Sequence, residues 1–382
     1  MIAVILALSL ASADPLDHAL VISEQPLGTV QTAPVLDLLS AKPTSEFLAP
    51  LVRRLNARRA MVPTARLAAI RAGASCPGFG SVLIVVDMAA YLTDLADSVT
   101  RDRLGVVQDL GTADMDTLTV CLTPWQGKLR IEAVATMKAW HGVLGALSGA
   151  QAMLGRVPEA FYSVAEAQLD IPAVLEWGGK SRTRPQALLR AISGFIDQDL
   201  EATVVRPLTG HVLAALAVVG RGSVHVFELG SHDTRGAEEA VKKLVEFAPE
   251  APLPAHAPAH SVGVDVGLAT LSPSMPLFIR VEPKQLLLAS EGNGLFAHWK
   301  SGVPTAPAVA ALLVDLGRYA SLYARVGRPV DTLEMVHEWG AGAWVNDAHP
   351  PPPAALLNGM KTLRAVVSKT GTQLRVDATI SR

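Results

Sequence analysis

Two segments far apart in this chain carry one pattern, and any fold for it must place that pattern twice. The first begins Leu83-Ile84-Val85-Val86-Asp87-Met88-Ala89-Ala90-Tyr91 and the second Ala311-Leu312-Leu313-Val314-Asp315-Leu316-Gly317-Arg318-Tyr319. Each reads as an apolar strand ended by Asp, whose carboxylate accepts from the free N–H groups of a helix's first turn, and then as a helix start. A hairpin follows in both. Thr117 to Leu122 turns near Gly127 and returns as Leu129-Arg130-Ile131-Glu132-Ala133; Thr362 to Val367 turns near Gly371 and returns as Leu374-Arg375-Val376-Asp377-Ala378. The returning strands match as Leu, Arg, β-branched, acid, Ala, alternating apolar and polar at the strand period of two. Leu118 to Gly127 is one step longer than Leu363 to Gly371, which predicts a bulge or a longer turn in the first copy.

A looser third copy lies between them. Phe161 to Leu169 reads as a strand, Asp170-Ile171-Pro172 as a helix start, and Val212 to Val219 with Ser223 to Leu229 as a hairpin turned by Gly220-Arg221-Gly222. A helix is predicted from Asp233 or Thr234 to about Phe247, with Ala237, Ala240, Val241, Leu244 and Val245 on one face. The pairs Glu238–Lys242 and Glu239–Lys243 lie on the other. Thr44 to Arg59 and Pro185 to Phe195 suit helices, and Leu277 to Val281 with Leu286 to Ala289 makes another hairpin. Strands followed by hairpins imply an α+β fold: antiparallel sheets covered by helices, built from an internally repeated strand–helix–hairpin unit.

A chain of 382 residues exceeds the size at which one core stops growing. Beyond residues 1–13, two domains are expected, 14–155 and 156–382, the second holding another copy of the repeat. Residues 249–260, rich in Pro and Ala, read as a linker-like loop. Half the residues are hydrophobic and only 18% are charged, so the surface is poor in charge. The net charge of −2 supplies no field to gather a polyanion, and nucleic acid is not among the expected partners. Lys42, Arg53, Arg54, Arg58, Arg59, Arg66 and Arg71 stand against Glu46 alone. That run reads as a solvated helix face, with contact to anionic lipid as the alternative.

Met1 to Ala13 is an apolar run closed by Ala11-Ser12-Ala13, the pattern of a secretory signal peptide with its cleavage site. It is shorter than the roughly 20 residues that span a bilayer as a helix. Later apolar runs, such as Val212 to Val219, are strand-sized. The expectation is a periplasmic or extracellular protein with no transmembrane helix after signal cleavage. Cys76 and Cys121 are the only cysteines. In an oxidising compartment they read as a disulfide, with two buried thiols as the alternative.

These features, together with Val157-Pro158-Glu159-Ala160 leading into Leu169-Asp170-Ile171-Pro172-Ala173, the Leu208-Thr209-Gly210-His211-Val212 entry to a hairpin and the closing Leu374-Arg375-Val376 strand, carry a resemblance. They resemble a group of uncharacterised exported bacterial envelope proteins carrying a domain of unknown function. The resemblance implies a location and an architecture, and no catalytic residue.

Several tempting motifs fail on their own chemistry. Gly178-Gly179-Lys180-Ser181 matches the end of a phosphate-binding loop, but the required first glycine falls at Val174. Gly292-Asn293-Gly294 follows a hairpin, where a dinucleotide site needs a parallel βαβ unit. Gly73-Ala74-Ser75-Cys76-Pro77 lacks the last glycine of a nucleophile elbow. His256 and His260 have ligand spacing, yet Pro254 and Pro258 forbid the helix that would align them. His337, Glu338 and Asp347 to His349 are ligands only if the fold gathers them. No cofactor, metal or catalytic residue is assigned. The functional expectation is a non-enzymatic envelope protein binding an apolar small molecule or an envelope protein; the alternative is a secreted hydrolase whose site is assembled in three dimensions.

Overall fold

The computed structural model describes residues 15–24, 48–76, 80–98, 107–149, 161–180, 185–219, 222–265, 276–296, 308–319 and 360–381. In chain order the strands are β1 (Ala19–Ile22), β2 (Val82–Asp87), β3 (Met115–Trp125), β4 (Lys128–Met137), β5 (Ser163–Gln168), β6 (Leu208–Val219), β7 (Gly222–Ser231), β8 (Ser261–Asp265), β9 (Pro276–Glu282), β10 (Gln285–Ala289), β11 (Ala310–Asp315), β12 (Thr362–Thr370) and β13 (Gln373–Ser381). The helices are α1 (Leu48–Arg59), α2 (Ala65–Ala72), α3 (Met88–Ser98), α4 (Gly142–Ala146), α5 (Ile171–Lys180), α6 (Pro185–Phe195) and α7 (Arg235–Phe247). The strands pair antiparallel, and the fold is α+β.

The chain divides into two compact units, Met1–His141 with Leu313–Arg382, and Gly142–Leu312. Sequence reading divides it once, between 155 and 156. The first unit instead draws on both ends, because β13 pairs with β4 from Gln373↔Thr136 to Ser381↔Lys128.

In the first unit the strand order is β1-β2-β3-β4-β13-β12-β11. All six residues of β2 are buried. On one side Leu67 of α2 joins Leu20, Leu83 and Val85 in a core cluster. α3 packs against β3 and buries Met88, Tyr91 and Leu95. Along β4 the alternation is clean: Leu129, Ile131, Ala133, Ala135 and Met137 are buried, whereas Lys128 and Arg130 are exposed.

Asp87 closes β2, and its Oδ1 accepts from the Ala90 amide at 3.2 Å. Asp315 closes β11 in the same way, accepting from the Arg318 amide at 2.9 Å, and residues 316–319 are helical. Tyr91 and Tyr319 are 1% and 3% exposed. Both hairpins turn on two residues. Gln126 and Gly127 have φ of 48° and 72°, the all-positive geometry whose twist matches the flanking strands. Gly371 and Thr372 link Thr370 to Gln373. No longer turn is present in the first hairpin: Gly127 is the second turn residue and Gly371 the first, which accounts for the one-step difference. The register shift in β3 lies away from the turn, between Met115 and Thr117.

The second unit has the order β5-β6-β7-β10-β9-β8. On one sheet face Ile196 and Leu200, with Ala240, Val241 and Leu244 of α7, pack against Val264, Ile279 and Val281. Val245, expected on that stripe, is 47% exposed, since one further residue turns it about 100° away. The other face holds Val164, Leu213, Ala215, Val226, Phe278, Leu287 and Ala289 in one cluster. Asp170 caps α5, accepting from the Ala173 amide at 2.9 Å. Gly210, with φ of 84°, brings its backbone so close to Leu169 that a Cβ would sit 1.9 Å from the carbonyl oxygen. The Ala251 amide donates to Gly263 and the Asp265 amide to Pro249, so part of the linker-like stretch covers the outer edge of β8.

Candidate functional site

β2 and β3 are neighbours, with Leu83 opposite Cys121. The loop before β2 therefore brings Cys76 to disulfide distance of Cys121, their Cα atoms 5.3 Å apart.

The other sequence candidates stay apart. Gly178 and Lys180 lie in the last turns of α5, where Lys180 pairs with Glu176 on the same helix, and no strand leads into them. Gly292-Asn293-Gly294 forms a short 3-10 turn after β10, which pairs antiparallel with β9. His256 and His260 are exposed loop residues with φ of 63° and 59°. His337, Glu338 and Asp347 to His349 lie outside the described residues. Among the described residues, no group of three or more His, Cys, Asp or Glu is placed to hold a metal ion. No helix among them is long and apolar enough to cross a membrane.

The fold gathers a different set in the second unit. Register places Glu166, Leu213, Glu228, Leu287 and Arg280 in one row across β5, β6, β7, β10 and β9, and opposed residues share a sheet face. His211 lies two residues from Leu213, and Glu282 two from Arg280, on that same face. The row is buried at Leu287, Leu213, Arg280 and Glu166, which are 0%, 2%, 3% and 8% exposed, whereas Glu228 is half-buried and the side chains of His211 and Glu282 reach the rim at 21% and 40%. His211 Nε2 and Glu166 Oε1 are 2.8 Å apart, and Arg280 Nε lies 3.0 Å from Glu282 Oε1. Burial holds the Glu228 carboxyl above the ordinary glutamate range, with Glu282 and Glu166 adding to the rise and His211 and Arg280 opposing it. Chemically the row can store and exchange a proton. Strand-by-strand reading missed it because its members sit on five strands. The available signal was a His or Glu at an inward position of an otherwise apolar strand.

A second feature lies on the helices of the same unit. Phe195 at the end of α6 and Phe247 at the end of α7 meet edge to face, ring centroids 5.8 Å apart, and are 43% and 57% exposed. Ser193, Gly194 and Asp197, which flank Phe195 in sequence, line a largely polar surface depression of about 480 Å³ with Leu189, Arg190, Gln198, Asp199 and Glu201. No family model and no curated protein matches this chain.

Proposed function

We propose that this chain is an exported, non-enzymatic binding protein of a bacterial envelope, built from repeated strand–helix–hairpin copies, which takes an apolar ligand or a protein partner's apolar surface at the ends of α6 and α7. The Phe195–Phe247 pair carries the reading. Single apolar residues on a surface are ordinary, but two aromatic rings held together in water beside a depression form a patch whose burial favours association. Export is supported by the apolar run closed by Ala11-Ser12-Ala13 and by the cysteine pair at disulfide distance.

The register of β4 against β13 supports the repeat. With Leu129–Ala133 set on Leu374–Ala378, Glu132 corresponds to Asp377, and these two residues oppose each other in the ladder. A two-fold axis through that pair exchanges Ile131↔Ala378 with Ala133↔Val376, and Arg130↔Thr379 with Arg375↔Val134. The side chains follow the same symmetry. Arg130 Nη2 reaches Glu132 at 2.7 Å, Arg375 Nε reaches Asp377 at 2.9 Å, and Arg375 Nη2 crosses to Glu132 at 2.7 Å. The strand order of the second unit, β5-β6-β7-β10-β9-β8, has the same layout of strand plus hairpin beside hairpin plus strand, which supports the reading.

Native mass spectrometry of protein recovered from the envelope or medium tests the binding reading. A bound mass that is lost in Phe195→Ser/Phe247→Ser, with the fold retained, is expected; unliganded mass alone in the wild type contradicts it. The Glu166–His211 pair favours a hydrolase as second reading, since an acid that orients a histidine is part of many nucleophilic relays. Turnover of p-nitrophenyl esters that disappears in His211→Ala would select it.

A further inference from the structure

We propose that Glu166, His211, Glu228, Arg280 and Glu282 form a proton-responsive element that loosens the sheet of the second unit as pH rises from acid toward neutral. The inference does not depend on the binding reading. One face of this sheet concentrates charge among buried apolar side chains. Three carboxylates share the row with one guanidinium and one imidazole, and each of these already lies against another carboxylate: His211 against Glu166 at 2.8 Å and Arg280 against Glu282 at 3.0 Å. Glu228 is the third carboxylate. It stands on β7 between Leu213 and Leu287, whose side chains are almost wholly buried. Ionising it there takes a charge out of water without a cation to itself, and low-dielectric surroundings make that costly.

The groups facing Glu228 are Glu166 from β5, His211 from β6, and Arg280 and Glu282 from β9, while β10 presents Leu287. The carboxyl is correspondingly held above its ordinary range, burial being the largest cause. The sign follows from linkage. A carboxyl whose folded-state pKa lies above its unfolded value costs nothing extra while both states are protonated. Stability is then lost as pH rises from the unfolded pKa, about 4.3, through the raised folded value, and stays lost above it. His225 is shifted downward by burial and acts in the opposite sense, but it points from β7 to the other sheet face.

The test is urea unfolding of the full chain, wild type against Glu228→Gln, from about pH 4 to about pH 8. The two midpoints should coincide at the acid end. Toward neutral pH the wild type should fall progressively below the variant, the contribution of His225 cancelling in the difference. Amide exchange in β6, β7 and β10 should accelerate with pH in the wild type beyond its intrinsic dependence, and less so in the variant. A wild-type-minus-variant difference that does not change with pH overturns the proposal. Carboxyl-13C titration of Glu228 in the wild type needs no variant: a midpoint at or below that of the exposed Glu239 overturns it equally.

Discussion

Tyr91→Ala is the substitution whose cost the structure defines most closely. Tyr91 stands four residues after the capping Asp87, in the first turns of α3, and is 1% exposed. A buried aromatic side chain withdraws roughly 150–250 Å² from water. At about 25 cal/mol per Å², and allowing for the surface that alanine still buries, its loss forfeits roughly 4 kcal/mol. That falls inside the range of about 3–5 kcal/mol for truncating large buried aromatic side chains. Against a typical total of about 5–15 kcal/mol, that removes between roughly a quarter and four-fifths of the stability. Urea unfolding of the full chain, followed by far-ultraviolet circular dichroism, reads the cost. Tyr319, 3% exposed after Asp315, should cost the same to within about 1 kcal/mol if the two copies are equivalent. The hydroxyl adds a separable signature. Burial pushes the Tyr91 phenol up to about 12, so stability should fall as pH climbs from about 10 through that value, and Tyr91→Phe should not show the fall. A cost below about 1 kcal/mol for Tyr91→Ala would refute the buried-anchor reasoning. A large cost at Tyr91 with none at Tyr319 would refute the equivalence.

Replacing Cys76 and Cys121 by Ser should cost about 4 kcal/mol, from the chain entropy of a closed loop with a sequence separation of 45. Urea midpoints with and without reductant measure it, and a thiol assay on the unfolded, non-reduced protein should find no free thiol. Glu132→Arg should weaken the β4–β13 pairing through repulsion from Arg130 and Arg375, and adding Arg375→Glu should restore much of the loss. Both sites are partly exposed, so the coupling in a double-mutant cycle should be no more than about 1 kcal/mol.

Local periodicity made much of the first unit legible. Leu129 to Met137 alternates in the sequence as it does in the structure, and Asp87 and Asp315 announce helix starts that form. The pairing of Cys76 with Cys121 was legible too, because the first shortly precedes one short apolar run and the second lies within another. The partner of each hairpin was not. Nothing local in Leu374–Ala378 says that it lies against Leu129–Ala133 across 240 intervening residues; only the likeness of the two strands hints at their pairing. The charged row was hidden for the same reason. Glu228 is one acid in an alternating strand until β6, β9 and β10 surround it with Leu213, Arg280 and Leu287. The Phe195–Phe247 pair joins the last residues of two helices that are far apart in sequence.

The binding claim is tested most directly by fluorescence titration with the apolar probe 1-anilinonaphthalene-8-sulfonate on the folded full-length protein. The α6–α7 surface should give a saturable enhancement for the wild type that is largely lost in Phe195→Ser/Phe247→Ser at unchanged circular dichroism. Absence of enhancement in the wild type, or an enhancement that survives both substitutions, would contradict an apolar binding surface at this place.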